Sequence, residues 1–103
     1  MIELFREVAR RKALGEAMAM ATIIRTGGST PAEAGAKMVV AADGTVIGTI
    51  GGGYGEHRVW KAALETIRES RPRVVRVELT TDAATGEGAL CGGTIEVFVE
   101  PIG

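Results

Sequence analysis

Two periodicities divide this chain. In "MIELFREVARRKALGEA" the apolar residues Ile2, Phe5, Val8 and Ala9 recur at helical spacing, with charges opposite, which predicts an amphipathic helix ending near Gly15. "AMAMATIIRT" follows as an apolar run of strand length, β-branched toward its end, and reads as a buried strand. A loop of turn residues, "GGSTPAEAGA", leads into "KMVVAADGTVIGTI", two short apolar stretches around Asp43-Gly44. That dipeptide predicts a hairpin in which both central residues take positive φ. After "GTIGGGYGEH", the stretch "EHRVWKAALETIRES" sets Val59, Trp60, Ala63, Leu64 and Ile67 on one helical face, with Pro72 beyond its end. "RVVRVELT" and "TIEVFVEP" then alternate strictly, with Val75, Val77 and Leu79 in one and Ile95, Val97 and Val99 in the other facing a core. The order is α-β-β-β-α-β-β. It predicts an α+β fold built on a single mixed β-sheet of about five strands with two covering helices.

Composition narrows the class. With 103 residues the chain suits one domain, and its formal net charge of -1 lacks the basic excess of a nucleic-acid binder. No apolar run is long enough to span a bilayer and no charged-then-apolar leader opens the sequence, so a soluble, cytoplasmic protein with no membrane and no nucleic-acid partner is expected. One cysteine, Cys91, and one histidine, His57, exclude an internal disulfide and a Cys- or His-rich metal cluster, and leave no material for a self-sufficient hydrolase. The absence of Asn and Gln fits a heat-adapted source and a GC-rich genome equally well.

Candidate chemistry lies in three glycine loops, Gly27-Gly28 to Gly35, Gly51 to Gly55, and Gly86 to Gly93. Glycine lets backbone approach a ligand with no side chain between, and a glycine run opening a helix aims free N–H groups at one spot. Two readings of Gly51-Gly52-Gly53 therefore stand: an anion cradle, or a tight strand-to-helix connection with Glu56 favouring the helix dipole. The run matches neither the P-loop nor the dinucleotide fingerprint. Cys91, between glycines in "GALCGG", is either a reachable thiol whose pKa neighbouring N–H groups lower, or a small packed residue. Lys37 and Arg25 flank the first loop and offer positive charge, with solvated strand ends as the plainer account. His57 reads as a surface residue of the first helical turns, Trp60 as core, and Ser29-Thr30-Pro31 as a turn.

Taken together, "ATIIRTGGSTPAEAGAKMVV", "DGTVIGTIGGGYGE" and "LCGGTIEVFVEP" resemble, in order and spacing, the XdhC/CoxI family, accessory proteins of xanthine dehydrogenase and of related molybdenum hydroxylases including aerobic carbon monoxide dehydrogenase. The resemblance runs from about Ala21 to Pro101. It implies a chaperone, not an enzyme, that binds molybdenum cofactor (molybdopterin) while its sulfido ligand is installed and delivers it to an apo molybdenum hydroxylase. Its other implied partners are a cysteine desulfurase, a two-domain relative or further copies of itself. On this chain the family pattern falls on Gly51, Gly52, Gly53, Tyr54, Cys91, Gly92 and Gly93, joined by Lys37 from the first loop, with Cys91 as a thiolate near molybdenum. Two positions depart from the family: relatives carry cysteine where Tyr54 stands, and arginine where Ala32 follows the loop proline. A chain with Tyr54 lacks whatever sulfur chemistry the first cysteine supplies, which keeps open an interaction module that has lost cofactor binding. The expected organisation is a single XdhC/CoxI-like domain over residues 1–103, a stand-alone form without the Rossmann-like C-terminal domain of longer relatives.

Overall fold

The computed structural model describes residues 1–51, 53–79 and 93–103. Its elements run α1 (Ile2–Ala13), β1 (Met18–Gly27), β2 (Lys37–Ala41), β3 (Val46–Gly48), α2 (Gly53–Glu69), β4 (Arg73–Leu79) and β5 (Gly93–Ile102), in the predicted order. The strands form one sheet in the order β3-β2-β1-β5-β4. The fold is α+β as expected, but every pairing is antiparallel where a mixed sheet was predicted. The reason is topological. A helical crossover such as β3–α2–β4 can place two parallel strands side by side. Here it carries the chain to the opposite edge of the sheet, and β5 returns between β4 and β1.

Strand alternation sorts side chains onto two faces, and each face has its own helix. On one, Ala19, Ala21 and Ile23 of β1, Met38 and Val40 of β2, Val77 of β4 and Ile95, Val97 and Val99 of β5 pack against Val59 and Ala63 of α2. The predicted inward residues of α2, β4 and β5 all join this core, Trp60, Leu64, Ile67, Val75 and Leu79 from its margin. On the other face, Leu4 and Val8 of α1 meet Met18, Val39 and Ala41. Burying each such aliphatic side chain contributes about 1.5–3 kcal/mol, so the larger cluster dominates stability.

α1 departs from its predicted face. Leu4 and Val8 turn inward, whereas Ile2 is 69% and Phe5 45% exposed. Apolar residues at 2, 4, 5, 8 and 9 mark two overlapping stripes, and helical period alone does not choose between them. Tertiary contact does: Leu4 Cδ1 would lie 3.2 Å from a Cβ on Gly48, so the bare end of β3 provides the seat for Leu4.

The β2–β3 hairpin also differs in detail. Gly44 takes φ 91°, but Asp43 does not enter the positive region. The Gly44 N–H donates to Ala41 O, the Ala41 N–H to Thr45 O, and the Thr45 N–H to the Asp43 carboxylate. A tight turn closed by one left-handed glycine is the three-residue form of hairpin loop, not the two-residue form expected. Trp60 is tied to this turn, its indole N–H donating to Gly44 O at 3.0 Å. Although apolar in bulk, it is half-buried and fixes the outer flank of α2 to the hairpin. No helix among the described residues is long and apolar enough to cross a membrane.

Candidate functional site

The register brings the first glycine loop, the chain leading into α2 and Gly93 to one end of the sheet. Gly27 at the end of β1 pairs with Thr94, Thr22 with Lys37, Met38 with Gly48, and Leu79 with Gly93. The ends of β1, β3 and β4 and the starts of β2 and β5 therefore share one end of the sheet. The chain segments 28–36 and 49–51 leave from it. α2 starts there too, because β3 ends beside the first residue of β2.

The first loop lies close over the start of β5. A Cβ added to Gly93 would come within 2.7 Å of Gly27 O and 2.8 Å of Thr30 Cβ. Contact with the protein's own chain thus accounts for glycine at 93. The loop is pinned from inside: the Gly35 N–H donates to Ile23 O at 2.7 Å, the Ile23 N–H to Ala36 O at 3.0 Å, and the Ala32 N–H to the Thr30 hydroxyl oxygen at 3.1 Å. The Ser29-Thr30-Pro31 turn is thereby realised through the Thr30 side chain, while Ala32 and Ala36 rest on the main core.

Gly51 has the opposite surroundings. Its φ is 132°, and among the described residues nothing lies within 4 Å of where a side chain would project. Glycine is required here by backbone conformation, and no described side chain covers it. Its N–H donates to Thr49 Oγ1 at 3.0 Å, and the Thr49 hydroxyl donates to the Glu56 carboxylate at 2.6 Å. Glu56 sits in the first turn of α2, where a negative charge offsets the positive helix end.

α2 begins at Gly53, earlier than the apolar periodicity suggested, so Gly53, Tyr54 and Gly55 form its first turn. Helical spacing of apolar residues cannot register a turn made of glycine and a single aromatic. A Cβ on Gly55 would stand 3.0 Å from Leu79 Cδ2, so this turn packs directly on the end of β4.

Not every candidate converges. Lys37 lies at the correct end of the sheet, but its side chain is on the α1 face, with Nζ donating to Thr22 Oγ1 at 3.2 Å. Alternation gives Met38 and Val40, not Lys37, to the face that α2 covers. Arg25 pairs with Glu96 at 3.3 Å. His57 is exposed and stacked on Trp60, centroids 5.6 Å apart. Gly52, Cys91 and Gly92, and the side chain of Tyr54, lie outside the described residues. Among the described residues no three His, Cys, Asp or Glu side chains are grouped to hold a metal ion.

An antiparallel sheet with one helix on each face, and a first glycine loop that leaves the sheet end where the second helix starts, defines a small α+β domain. The chain belongs to the XdhC and CoxI family, whose sequence profile matches residues 12–78. It is 37% identical over 98 residues to YqeB of Escherichia coli K12, a protein of uncharacterised function, covering 95% of this chain and 18% of that one. A crystal structure described as a xanthine dehydrogenase from Bacillus halodurans superposes with a TM-score of 0.81 at 31% identity, over 97% of this chain and 30% of that one. The chain thus spans less than a third of the length of either relative.

Proposed function

We propose that this domain takes part in the maturation of a xanthine dehydrogenase- or carbon monoxide dehydrogenase-type molybdenum hydroxylase, as an accessory chaperone that binds molybdenum cofactor and passes it to the apoenzyme in the cytoplasm. Family membership supports the maturation role. The observation that supports the binding role is that the first glycine loop and the chain leading into α2 leave the same end of the sheet, with no described residue over the side-chain position of Gly51. Molybdopterin presents a phosphate and a polar pterin, groups that backbone N–H and C=O can hold without a side-chain cluster. The Gly51 N–H already donates to Thr49 Oγ1, so Gly51 serves such a ligand by its lack of a side chain. The rest of the proposed site is the 51–53 entry to α2, with Cys91 as the thiol for the soft side of the metal. Gly93 contributes by letting the first loop close over β5. Lys37, on the other face, supplies charge to that end of the sheet without facing the start of α2. When bound, the cofactor carries oxidation chemistry that belongs to the client enzyme. This chain's part is to hold it and keep it from water.

The test is retention: purified protein incubated with molybdenum cofactor, then gel filtration and pterin assay of the protein peak. Retention that Cys91→Ala weakens at unchanged melting temperature supports the proposal. No retention, with a two-domain relative retaining cofactor alongside, refutes it for this chain. A second reading, an interaction module without cofactor, draws support from Glu56, whose carboxylate already occupies the start of α2, and from Tyr54 at the family's cysteine position. Partner capture unaffected by Cys91→Ser and by substitutions in 51–53 favours that reading.

A further inference from the structure

α1 carries two apolar stripes, and the chain uses only one of them. Leu4 and Val8 are buried on the sheet, while Ile2, Phe5 and Ala9 stay exposed on a side where a surface helix is ordinarily polar. The sheet face beneath α1 is likewise half used. The cluster under the helix draws on β1, β2 and β3 and reaches β5 only at Ile102. On the β4 half of that face Val74 is 56% exposed beside its cross-strand partner Phe98, and neither belongs to a core cluster. Alternation places Arg76, Glu78, Glu96 and Glu100 around that pair on the same half-face.

The spare stripe and the spare half-face stand at the same height along the strands. Leu4 is seated at Gly48, whose row crosses the sheet through Met38, Ala21 and Val99 to Arg73. Val74 and Phe98 form the adjacent row. Residues 14–17 join the end of α1 to the start of β1, so α1 descends from the Leu4 row toward Met18. Ile2 therefore stands about 3 Å above Leu4, close to one strand step and in the direction of the Val74–Phe98 row. A two-fold axis over β1, parallel to the strands, keeps height and exchanges the two halves of the face. It sets the first turns of one copy's α1 over Val74 and Phe98 of another.

From this we infer that two copies of the chain associate through this face, their α1 helices side by side between two sheets. Each helix covers β2 and β3 of its own copy with Leu4 and Val8, and the β4 half of the second copy with Ile2 and Phe5. Charge favours a second copy as the occupant. α1 holds four basic residues against two acidic ones, whereas the β4–β5 half-face holds Glu78, Glu96 and Glu100 against Arg76, with Arg25 of β1 paired to Glu96 at 3.3 Å. Arg6 and Lys12 on α1, and Glu78 and Glu100 on the half-face, make no ion pair with any described residue. The same operation brings Arg6 to the height of Glu100. The result is a self-complementary contact with an apolar centre and a charged rim. It does not depend on cofactor binding, since it lies on the face opposite α2.

Sedimentation velocity of the full chain over a concentration series tests this, with far-ultraviolet circular dichroism as the folding control. The parent is expected to sediment as a dimer. Ile2→Glu/Phe5→Glu on the helix and Val74→Glu on the sheet should each weaken association about ten-fold or more while keeping the parent spectrum, because all three positions are exposed in the single chain. Arg6→Glu should weaken it too, and Arg6→Glu/Glu100→Arg should restore it. If Val74→Glu loses the parent spectrum, this charge exchange carries the sheet side of the test. A parent that stays monomeric up to about millimolar concentration overturns the inference. So does a dimer that the helix variant leaves intact, or one that neither Val74→Glu nor the Arg6–Glu100 exchange affects.

Discussion

Gly93→Ala isolates the contact that closes the first loop over the sheet. The added methyl would stand 2.7 Å from Gly27 O and 2.8 Å from Thr30 Cβ, with the carbonyl carbon of Ser29 at 3.2 Å. Ordinary contact distance calls for a displacement of roughly 0.5–1 Å, and the obstructing atoms are mostly backbone, so no side chain can rotate away. The loop cannot lift freely either, because Gly35 and Ala36 are hydrogen-bonded to Ile23 and Ala32 to Thr30. Overpacking of this kind costs about 1–3 kcal/mol. At about 2 kcal/mol, a domain of this size loses roughly 10–15 °C in melting temperature. Gly27→Ala is the matched control. Its nearest obstacle is Thr94 Oγ1 at 3.0 Å, a side-chain atom that can rotate, so it should cost clearly less. Urea unfolding followed by circular dichroism measures both without any ligand. If Gly93→Ala unfolds within about 0.5 kcal/mol of the parent, the packing account of Gly93 fails and its glycine must serve something outside the protein.

Thr66 is fully buried and its hydroxyl has no partner among the described residues, so Thr66→Val should stabilise by about 1 kcal/mol in urea unfolding. Trp60→Phe removes the indole bond to Gly44 O and should destabilise by about 1 kcal/mol, with increased hydrogen exchange at the 41–45 turn. Glu7 is held at a pKa of about 2, below its usual 4.5, by hydrogen bonds from Arg10 and then Arg11. Because the folded pKa is the lower one, its contribution is fully present above pH 4.5 and is lost as pH falls toward 2. The stability difference between the parent and Glu7→Gln should therefore shrink across that window and be constant above it.

Local signals made most of the fold legible. β4 and β5 are strict alternations and α2 carries an uninterrupted apolar stripe, so pattern alone gave their inward faces. α1 was less legible because Leu4 and Phe5 are adjacent in sequence and only the bare surface at Gly48 distinguishes them. The antiparallel character of the sheet is a long-range property, decided by where α2 carries the chain. At the site, the glycine loops stood out as composition, yet the placing of the first loop, Gly93 and the start of α2 at one end of the sheet follows from pairing register. Sequence treated the glycines alike, whereas Gly51 is set by its φ of 132° with no described residue near its side-chain position and Gly93 is a packing contact. Lys37 could not be assigned a face before the β1–β2 register was known, since a shift of one residue reverses it.

The central claim is that the glycine-loop end holds molybdenum cofactor, and co-purification tests it most directly. Protein produced in a host that makes the cofactor would be purified, oxidised to release fluorescent pterin, and assayed in parallel for molybdenum. The account predicts pterin and molybdenum travelling with the protein peak, and neither in protein from a host that cannot make the cofactor. A peak free of pterin from the competent host, while a two-domain relative purified alongside carries it, would contradict the account.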